Sequence, residues 1–508
     1  MSGAIMLQGT GSDVGKSLLV AGLCRLAANR GIAVMPFKPQ NMSNNAAVAV
    51  EGGEIGRAQW LQALACRQPP SVHMNPVLLK PESDQSAQLV VQGQVAGRLH
   101  AGAFQAEHHR RFGAICDSFE RLRAGATLVI VEGAGSPAET NLRARDMANM
   151  GFARPFDIPV ILVGDIDRGG VIASLVGTHA VMEQGDRAQV RGFVINKFRG
   201  DLALFAPGLR EIENRTGWPG LGVVPWLAPA RRLPAEDAVV LDRAASRARD
   251  GLLIAVPMLS RIANFDDLDP LAAEAGVTVR MVPPGAPLPG NADLVVLPGT
   301  KATRADLDFF RAQGWDVDLR AHARRGGRIL GLCGGYQMLG RSVRDPDGHE
   351  GPPGESAGLG YLEVDTVIGR VKTVREVPAR PATGGPELAG FEMHMGETSG
   401  ADTARPAYLV AGRPHGAVSA DGHVAGCYLH GLFAADSYRR HYLAGFGIAA
   451  GETGYHAGLD TALDEISLAL EDALDVAAFF RVAGISETAP GGPSLTPPAS
   501  ASTAAPRP

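Results

Sequence analysis

The chain has 508 residues, of which 45% are hydrophobic and 20% are charged, and its formal net charge is -5 at pH 7. This length predicts roughly two to four domains with ample hydrophobic cores, and the composition is that of a soluble globular protein. The slightly acidic balance disfavours a nucleic-acid-binding protein or a polybasic membrane-surface protein.

The cysteines indicate a reducing compartment. They are five in number, widely spaced and without a Cys-x-x-Cys pair, so neither a disulfide framework nor a zinc site is expected. The N-terminal residues lack the cationic and apolar segments of a signal peptide, and no window reaches the roughly 18 apolar residues of a spanning helix. We therefore expect a cytoplasmic protein that binds neither membranes nor nucleic acids.

Short apolar runs alternate with helical patterns throughout the first half. Runs of this kind, bounded by Gly and Pro, are typical of buried parallel strands that are joined by crossover helices. The predicted strands of this half are residues 4–7, 33–37, 127–131, 160–163 and 192–195.

A second α/β series begins at residue 252. Its predicted strands are residues 252–256, 294–297 and 328–330, and residues 461–481 are predicted to form one amphipathic helix that closes the fold. The predicted division is an ATP-binding domain over residues 1–228, a linker over 229–250, a second domain over 251–445, a helical segment over 446–485 and a disordered tail over 486–508.

A glycine-rich turn follows the first predicted strand directly. Residues 9–17 read GTGSDVGKS and lead into a helical pattern, so that backbone N–H groups and a helix N-terminus point at one spot and favour phosphate. An ordinary tight turn is the alternative. We expect Lys16 to contact the β and γ phosphates of ATP and the Ser17 hydroxyl to bind Mg²⁺. The other expected ATP contacts in this loop are Thr10, Gly11, Asp13 and Gly15.

Polar residues also follow other predicted strands, at the edge where open α/β sheets bind their ligands. Glu132 and Asp165 are candidates for binding Mg²⁺ or its waters, although either residue could serve only as a helix cap. Asn196 and Lys197 resemble the element with which related nucleotide-binding proteins contact the base, and a simple turn is the alternative.

The segment over residues 38–45, KPQNMSNN, combines one ammonium group with several neutral amides. Such a set can bind carboxylates or phosphates without burying much charge. The residues expected to make these contacts are Lys38, Gln40, Asn41 and Asn44.

The pattern Gly-x-Cys-x-Gly over residues 331–335 lies between a predicted strand and a predicted helix. It predicts a nucleophile elbow with Cys333 as the nucleophile, because glycines permit a strained turn and a helix N-terminus favours a thiolate. A buried, inert cysteine is the alternative. His430 is the candidate general base, and the backbone N–H groups of Gly299 and Gly334 are the candidate oxyanion hole.

These motifs resemble two known families. The P-loop, whose first glycine is shifted by one position, resembles that of dethiobiotin synthetase and its relatives, whereas switch ATPases of the MinD and ParA type carry a second lysine where this chain has Gly11. The Cys333 and His430 motifs resemble class I glutamine amidotransferases. Those enzymes carry a triad Glu where this chain has Leu432, and the cobyrinate and cobyrate amidating subgroup lacks it too. The resemblances imply an α/β fold with a dethiobiotin-synthetase-like parallel-sheet domain followed by an amidotransferase α/β domain.

The order of the motifs between Met6 and Phe446 is similar to that of the cobyric acid synthase family. The resemblance implies a ligase that uses ATP, Mg²⁺ and glutamine to amidate the b, d, e and g carboxylates of adenosylcobyrinic acid a,c-diamide, giving adenosylcobyric acid. The alternatives are the related a,c-diamide synthase, which the 38–45 segment disfavours, and a nucleotide-gated regulatory protein with an inactive amidotransferase domain. The oligomeric state is left open.

Lysine is rare in this chain, where it supplies six of the 48 basic residues. A lysine retained among arginines can mark a place where a guanidinium does not substitute. Four of the six fall in or beside the motifs above, namely Lys16, Lys38, Lys197 and Lys301, and Lys80 falls in residues 74–81, MNPVLLKP, which belong to the same order of family motifs. Lys372 has no motif beside it.

Overall fold

The structure is a computed structural model that describes residues 2–83, 86–100, 108–236 and 251–486. The predicted disordered tail lies outside it from residue 487 onwards, as do residues 237–250 of the predicted linker. Among the described residues, no helix is both long enough and apolar enough to cross a membrane.

The N-terminal half contains parallel and antiparallel strands. Its strands are β1 (Gly3–Gly9), β2 (Val34–Phe37), β3 (Gln40–Met42), β4 (Ala46–Val48), β5 (Glu54–Gly56), β6 (Val77–Pro81), β7 (Ser86–Val91), β8 (Gln94–His100), β9 (Leu128–Glu132), β10 (Val160–Asp165), β11 (Val190–Phe198) and β12 (Gly220–Pro225). Its helices are α1 (Lys16–Asn29), α2 (Arg57–Ala65), α3 (His108–Gly125), α4 (Met150–Ala153), α5 (Val171–Val181), α6 (Gln184–Arg187) and α7 (Leu202–Thr216).

The main sheet of this half is parallel, with the strand order β12-β11-β10-β1-β9-β2. Side chains on both faces of β1 are buried, because helices cover the sheet on both sides: Ile5 and Leu7 pack into one core and Met6 into the other. Since β9 and β10 flank β1, the loops that follow these strands meet at one edge of the sheet. The five strands predicted in this half are all present.

A small sheet is inserted between β2 and α3 and joins the two halves. It has the order β3-β6-β7-β8, and β4 and β5 pair beside it. Buried side chains of Ala46, Val48, Leu78 and Val90 pack together with Met393 of the C-terminal half. The insertion therefore brings N-terminal side chains against the second domain.

The C-terminal half contains a parallel sheet and a largely antiparallel one. Its strands are β13 (Leu252–Pro257), β14 (Ile262–Ala263), β15 (Val277–Val282), β16 (Leu294–Leu297), β17 (Gly299–Thr300), β18 (Arg328–Leu332), β19 (Ser342–Asp345), β20 (Gly354–Ala357), β21 (Val364–Pro381), β22 (Leu388–Gly400), β23 (Tyr408–Val410), β24 (Arg413–His415), β25 (Ala417–Val418), β26 (Val424–Cys427) and β27 (Leu429–His430). Its helices are α8 (Asp269–Ala272), α9 (Thr303–Ala312), α10 (Trp315–Arg324), α11 (Gly334–Leu339), α12 (Asp436–Ala444), α13 (Tyr455–Ala473) and α14 (Val476–Val482).

The parallel sheet of this half has the order β15-β13-β16-β18-β26, with β25 added antiparallel at its edge. The second sheet has the order β20-β19-β21-β22-β27. Strands β18 and β27 therefore bring Cys333 and His430 from two different sheets. The predicted α/β fold class of both halves is confirmed.

The chain ends by packing back onto the N-terminal half. Leu463, Ile466 and Leu470 of α13 are buried in the same core as α1, and a Cβ added at Gly22 of α1 would lie 2.5 Å from Leu470 Cδ1. Glycine there allows the two helices to approach closely.

The prediction of one helix over residues 461–481 is wrong in its continuity. Helix α13 stops at Ala473, Leu474 makes a β-bridge with Gly222, and the backbone N–H of Asp475 donates to Leu221 at 2.8 Å. The Asp475 carboxylate then accepts from the N–H of Ala478 and caps α14. Apolar periodicity continues across this break, so the sequence pattern does not reveal it.

Candidate active site

The loop after β1 turns directly into the N-terminus of α1. Gly15 precedes the helix with φ of 94°, and a Cβ there would lie 2.3 Å from Asn196 Nδ2, so glycine is required on both grounds. The Lys16 ammonium donates to the carbonyl oxygens of Gly11 and Gly135, at 3.1 and 3.3 Å. Burial lowers the pKa of Lys16.

Ser17 lies among acidic side chains. Its hydroxyl is 2.7 Å from Glu132 Oε1 and 2.5 Å from Glu236 Oε2. Lys38 Nζ lies 2.8 Å from both carboxylates. Burial opposes the charge on Lys38, but the two carboxylates raise its pKa above the usual range. The structure thus brings together three predicted site residues, Ser17, Lys38 and Glu132.

Glu236 is a residue of this site that sequence reasoning missed. It lies in the predicted linker, yet its carboxylate contacts both Ser17 and Lys38, and its backbone carbonyl accepts from the Ser43 hydroxyl at 3.0 Å. Burial opposes ionisation, but Lys38 lowers the pKa of Glu236. An acidic residue in a region rich in Arg, Ala and Pro gives no local signal that it folds against the P-loop.

The donor atoms around Ser17 fit a hard cation. A hydroxyl and two carboxylates converge there, and oxygen atoms are the ligands that Mg²⁺ prefers. Asp165, the other predicted carboxylate, is not part of this group. It is the last residue of β10, which flanks β1 on the side opposite β9, and its carboxylate pairs with Lys197 Nζ at 2.8 Å.

The remaining residues predicted for the nucleotide surround the same loop. Thr10 donates its N–H to Val163 at 3.0 Å, and Asp13 pairs with Arg168 at 3.2 Å and accepts from Lys197 through its backbone carbonyl. The Asn196 side chain is buried and donates to the Val14 carbonyl at 2.8 Å. In this structure the Asn196 side chain therefore holds the backbone of the P-loop through a hydrogen bond.

The side chains of the predicted carboxylate-binding segment, residues 38–45, contact different parts of the structure. Asn41 is buried against Gln59 at 2.9 Å, and it also contacts Glu236. Asn44 donates to the Pro81 carbonyl at 3.3 Å, and Gln40 is a half-buried residue of β3. Within this segment, Lys38 and Asn41 are the residues that the structure places beside the P-loop carboxylates.

Cys333 sits in a strained turn between β18 and α11. Its φ is 50° and its ψ is -109°, a conformation that costs about 1–3 kcal/mol for a non-glycine residue. A Cβ at Gly335 would lie 2.0 Å from the carbonyl oxygen of Leu297, so the close approach of helix to strand requires glycine. The thiol is half-buried and 3.5 Å from the carbonyl oxygen of Met393.

Asp267 is the group that orients His430, and sequence reasoning missed it. Its Oδ2 lies 2.6 Å from His430 Nδ1, and its Oδ1 accepts from the Gly431 N–H at 2.7 Å. Asp267 belongs to a short 3₁₀ turn, Phe265–Leu268, that lies 163 residues before the histidine. No spacing rule connects two residues so far apart. Because Leu432 stands where the usual Glu would be, the sequence predicted no residue that orients His430.

The surroundings of His430 favour its charged form. Burial opposes the charge, but the Asp267 carboxylate and the hydrogen bond with the Cys333 thiol raise the pKa of His430 to about 10. Phe391 stacks on the ring with centroids 5.2 Å apart. Cysteine, histidine and aspartate therefore form a connected triad.

A cavity of about 50 Å³ opens beside this triad. Gly299 lines it, and Gly334 lies against Thr300 at its border, where a Cβ would be 2.5 Å from Thr300 Cγ2. Gly334 is the first residue of α11, so its N–H has no partner within that helix. The two predicted oxyanion-hole residues are thus on adjacent segments next to Cys333. Three lysines also line the cavity: Lys80, Lys301 and Lys372.

Both halves match known families. The model described as the CobQ/CobB/MinD/ParA nucleotide binding domain matches residues 5–240, and the model described as the CobB/CobQ-like glutamine amidotransferase domain matches residues 253–438. A solved structure of a glutamine amidotransferase is 15% identical and covers 38% of this chain and 99% of its own, with a TM-score of 0.29. That likeness is too low to establish a shared fold.

Curated relatives match over nearly the whole chain. The cobyric acid synthase of Rhizobium meliloti (strain 1021) is 61% identical over 475 residues, which are 94% of this chain and 98% of that protein. The cobyric acid synthase of Paracoccus denitrificans (strain Pd 1222) is 62% identical over 481 residues, which are 95% of this chain and 100% of that protein. The chain therefore belongs to the cobyric acid synthase family and is a glutamine-hydrolysing amidotransferase.

Proposed function

We propose that this enzyme converts adenosylcobyrinic acid a,c-diamide to adenosylcobyric acid by amidating the b, d, e and g carboxylates with ATP and glutamine. The observation that supports it most is that one chain combines a P-loop site, with Lys16 and Lys38 at its centre, and a Cys333–His430–Asp267 triad. The first can activate a carboxylate and the second can release ammonia.

The triad supports glutamine hydrolysis through a thioester. An imidazolium at His430 stabilises a Cys333 thiolate, which attacks the γ-carboxamide carbon of glutamine. We assign the stabilisation of the oxyanion to the backbone N–H groups of Gly299 and Gly334, which border the cavity beside Cys333. His430 then gives its proton to the departing ammonia, and later takes one from the water that hydrolyses the thioester, while Asp267 holds the ring in one orientation.

The P-loop site supports activation of a carboxylate as an acyl phosphate. Lys16 is held by carbonyl oxygens beside the loop, where it would stabilise charge on the transferred phosphoryl group. Ser17, Glu132 and Glu236 would hold Mg²⁺, which when bound supplies neutralisation of phosphate charge. We assign the binding of the substrate carboxylate to Lys38, which lies between Glu132 and Glu236. Ammonia would displace the phosphate of the acyl phosphate to leave an amide.

Two hydrogen bonds, one buried and one partly buried, connect the two sites. Asn264 lines the Cys333 cavity and donates its N–H to Asn45 Oδ1 at 2.8 Å. Asn45 Nδ2 in turn donates to the Ala235 carbonyl at 3.4 Å, next to Glu236 of the P-loop site. We infer that ammonia passes between the sites sheltered from water, because free ammonia is mostly protonated at neutral pH.

Mass spectrometry of a corrinoid a,c-diamide incubated with ATP, Mg²⁺, glutamine and the enzyme tests the proposal. We expect four successive products, each with one more carboxyl hydroxyl replaced by an amino group than the product before it. Omission of ATP or of glutamine is the control and should leave the diamide unchanged. An unchanged corrinoid in the full mixture would refute the proposed substrate.

Replacing Asp267 with asparagine should lower the kcat for glutamine hydrolysis by about 10²- to 10⁴-fold. The carboxylate accepts from both His430 Nδ1 and the Gly431 N–H, and an amide offers only one acceptor oxygen. Loss of the negative charge also lowers the pKa of His430, which the carboxylate holds at about 10. The alkaline limb of the pH profile for kcat/KM should therefore move to lower pH.

Asp308→Asn, at an exposed position of α9, is the matched control for this change. It should leave both the rate and the pH profile of glutamine hydrolysis as they are. An Asp267→Asn enzyme with an unaltered rate would remove Asp267 from the triad.

A further inference from the structure

The Cys333 cavity is closed on one side by a buried ionic cluster that both halves of the chain supply. We call Glu54, Lys80 and Lys372 the Glu54 cluster. Lys80 Nζ lies 2.9 Å from Glu54 Oε2, and Lys372 Nζ lies 2.6 Å from Glu54 Oε1. Lys80 comes from the small inserted sheet and Glu54 from the β4–β5 pair beside it, whereas Lys372 comes from β21. Both lysines line the cavity that contains Cys333.

The Glu54 cluster carries an excess of positive charge. Glu54 is fully buried, and although burial opposes its ionisation, Lys372 and Lys80 lower its pKa to about 2. Its one negative charge thus faces two ammonium groups. Burial lowers the pKa of Lys372 to about 8, which an incoming anion would reverse.

A single residue, Met393, contacts both the Glu54 cluster and Cys333. The backbone carbonyl oxygen of Met393 is 3.5 Å from Cys333 Sγ, and the sulfur of the same methionine is 3.7 Å from Lys80 Nζ. A small molecule that reacts at Cys333 and extends along Met393 therefore reaches the ammonium groups.

Glutamine has the matching charges at its other end. Its γ-carboxamide reacts, whereas its α-carbon bears a carboxylate and an ammonium group, and burying either of these without a partner is costly. The cavity offers lysines for the carboxylate, and for the ammonium it offers the half-buried Glu350, whose carboxylate accepts from the Thr303 N–H at 3.0 Å.

We propose that Lys80 and Lys372 bind the α-carboxylate of glutamine while its γ-carboxamide lies at Cys333, so that the nucleotide-binding half completes the glutaminase pocket. The proposal rests on the proposed function. It makes Lys80 a substrate-specificity residue that the first half contributes to the reaction of the second. It also accounts for Lys372, which no sequence motif explained.

Steady-state kinetics of Lys80→Met and Lys372→Met test the proposal. Each variant should raise the KM for glutamine about 10- to 100-fold, the effect of losing one charge-assisted hydrogen bond. Amidation driven by an ammonium salt should keep its kcat, because that nitrogen source bypasses the pocket. In each variant Glu54 keeps one lysine partner, so no buried charge is left unpaired.

L-Glutaminamide, in which the α-carboxylate is a neutral amide, separates recognition from a structural role. The wild-type enzyme should prefer glutamine to L-glutaminamide in kcat/KM for ammonia release. In Lys80→Met and Lys372→Met, this preference for glutamine should fall by the same factor as the KM for glutamine rises. Lys372→Arg, which keeps the charge, should retain part of the preference. Arg121→Met, which breaks an exposed ion pair on α3, is the control and should match the wild type.

Three results would overturn the proposal. One is an unchanged preference in folded variants, and another is an increase in the KM for the corrinoid in place of that for glutamine. The third is an equal loss of glutamine-driven and ammonium-driven amidation. If instead the wild-type enzyme releases no glutamate from glutamine, the proposed function itself fails, and this is seen before any variant is made.

Discussion

Replacing Cys333 with alanine is expected to abolish glutamine-driven amidation while an ammonium salt still supports it. Alanine removes the sulfur that forms the thioester, and loss of the nucleophile from such a triad lowers kcat by at least about 10⁴-fold. The turn at Cys333 already holds a non-glycine residue at φ of 50°, so alanine introduces no new backbone strain. Release of glutamate and formation of amidated corrinoid, measured with each nitrogen source, check the expectation.

A second cysteine provides the matched control. Cys116 lies half-buried on α3, away from the triad, and Cys116→Ala should behave as the wild type with both nitrogen sources. If Cys333→Ala still released glutamate at the wild-type rate, the triad would not be the glutaminase. If it lost ammonium-driven amidation as well, Cys333 would serve the whole enzyme rather than the release of ammonia.

Replacing Lys16 with alanine should remove amidation with either nitrogen source, by at least about 10³-fold, while part of the glutamine hydrolysis remains. The Lys16 ammonium lies between the carbonyl oxygens of Gly11 and Gly135. Lys16 is the one lysine among the described residues 9–17 of the P-loop. Lys16→Arg should also fail, because a planar guanidinium is larger and spreads its charge over a fork. ATP consumption and amide formation are the measurements.

Arg215→Ala is the control for the Lys16 variants. It breaks an exposed ion pair with Glu211 on α7, worth about 0.3–0.5 kcal/mol, and should leave amidation intact. Equal loss of amidation and of glutamine hydrolysis in Lys16→Ala would contradict two separate sites. Full activity of Lys16→Arg would contradict the role assigned to the lysine.

Local patterns in the sequence were sufficient for the fold class. Buried strands such as Val160–Asp165 read as apolar runs, because both faces of a parallel sheet are covered. The turn at Cys333 was also predictable, because the pattern Gly-x-Cys-x-Gly between a strand and a helix is typical of a nucleophile elbow. The C-terminal helix was predicted from its period, but its break at Leu474 depends on a bridge to Gly222 in another domain.

The sequence by itself predicted the α/β architecture, the P-loop and the nucleophile elbow, because each rests on residues that are close together in the chain. It also predicted the family, because the order of such local motifs along the chain can be read directly. The tertiary structure alone decided that Asp267 orients His430, that Glu236 reaches Ser17 and Lys38, and that Lys80 and Lys372 share Glu54. These contacts join residues that are far apart in sequence. Their geometry comes from how the sheets pack together, for which no local spacing is a signal.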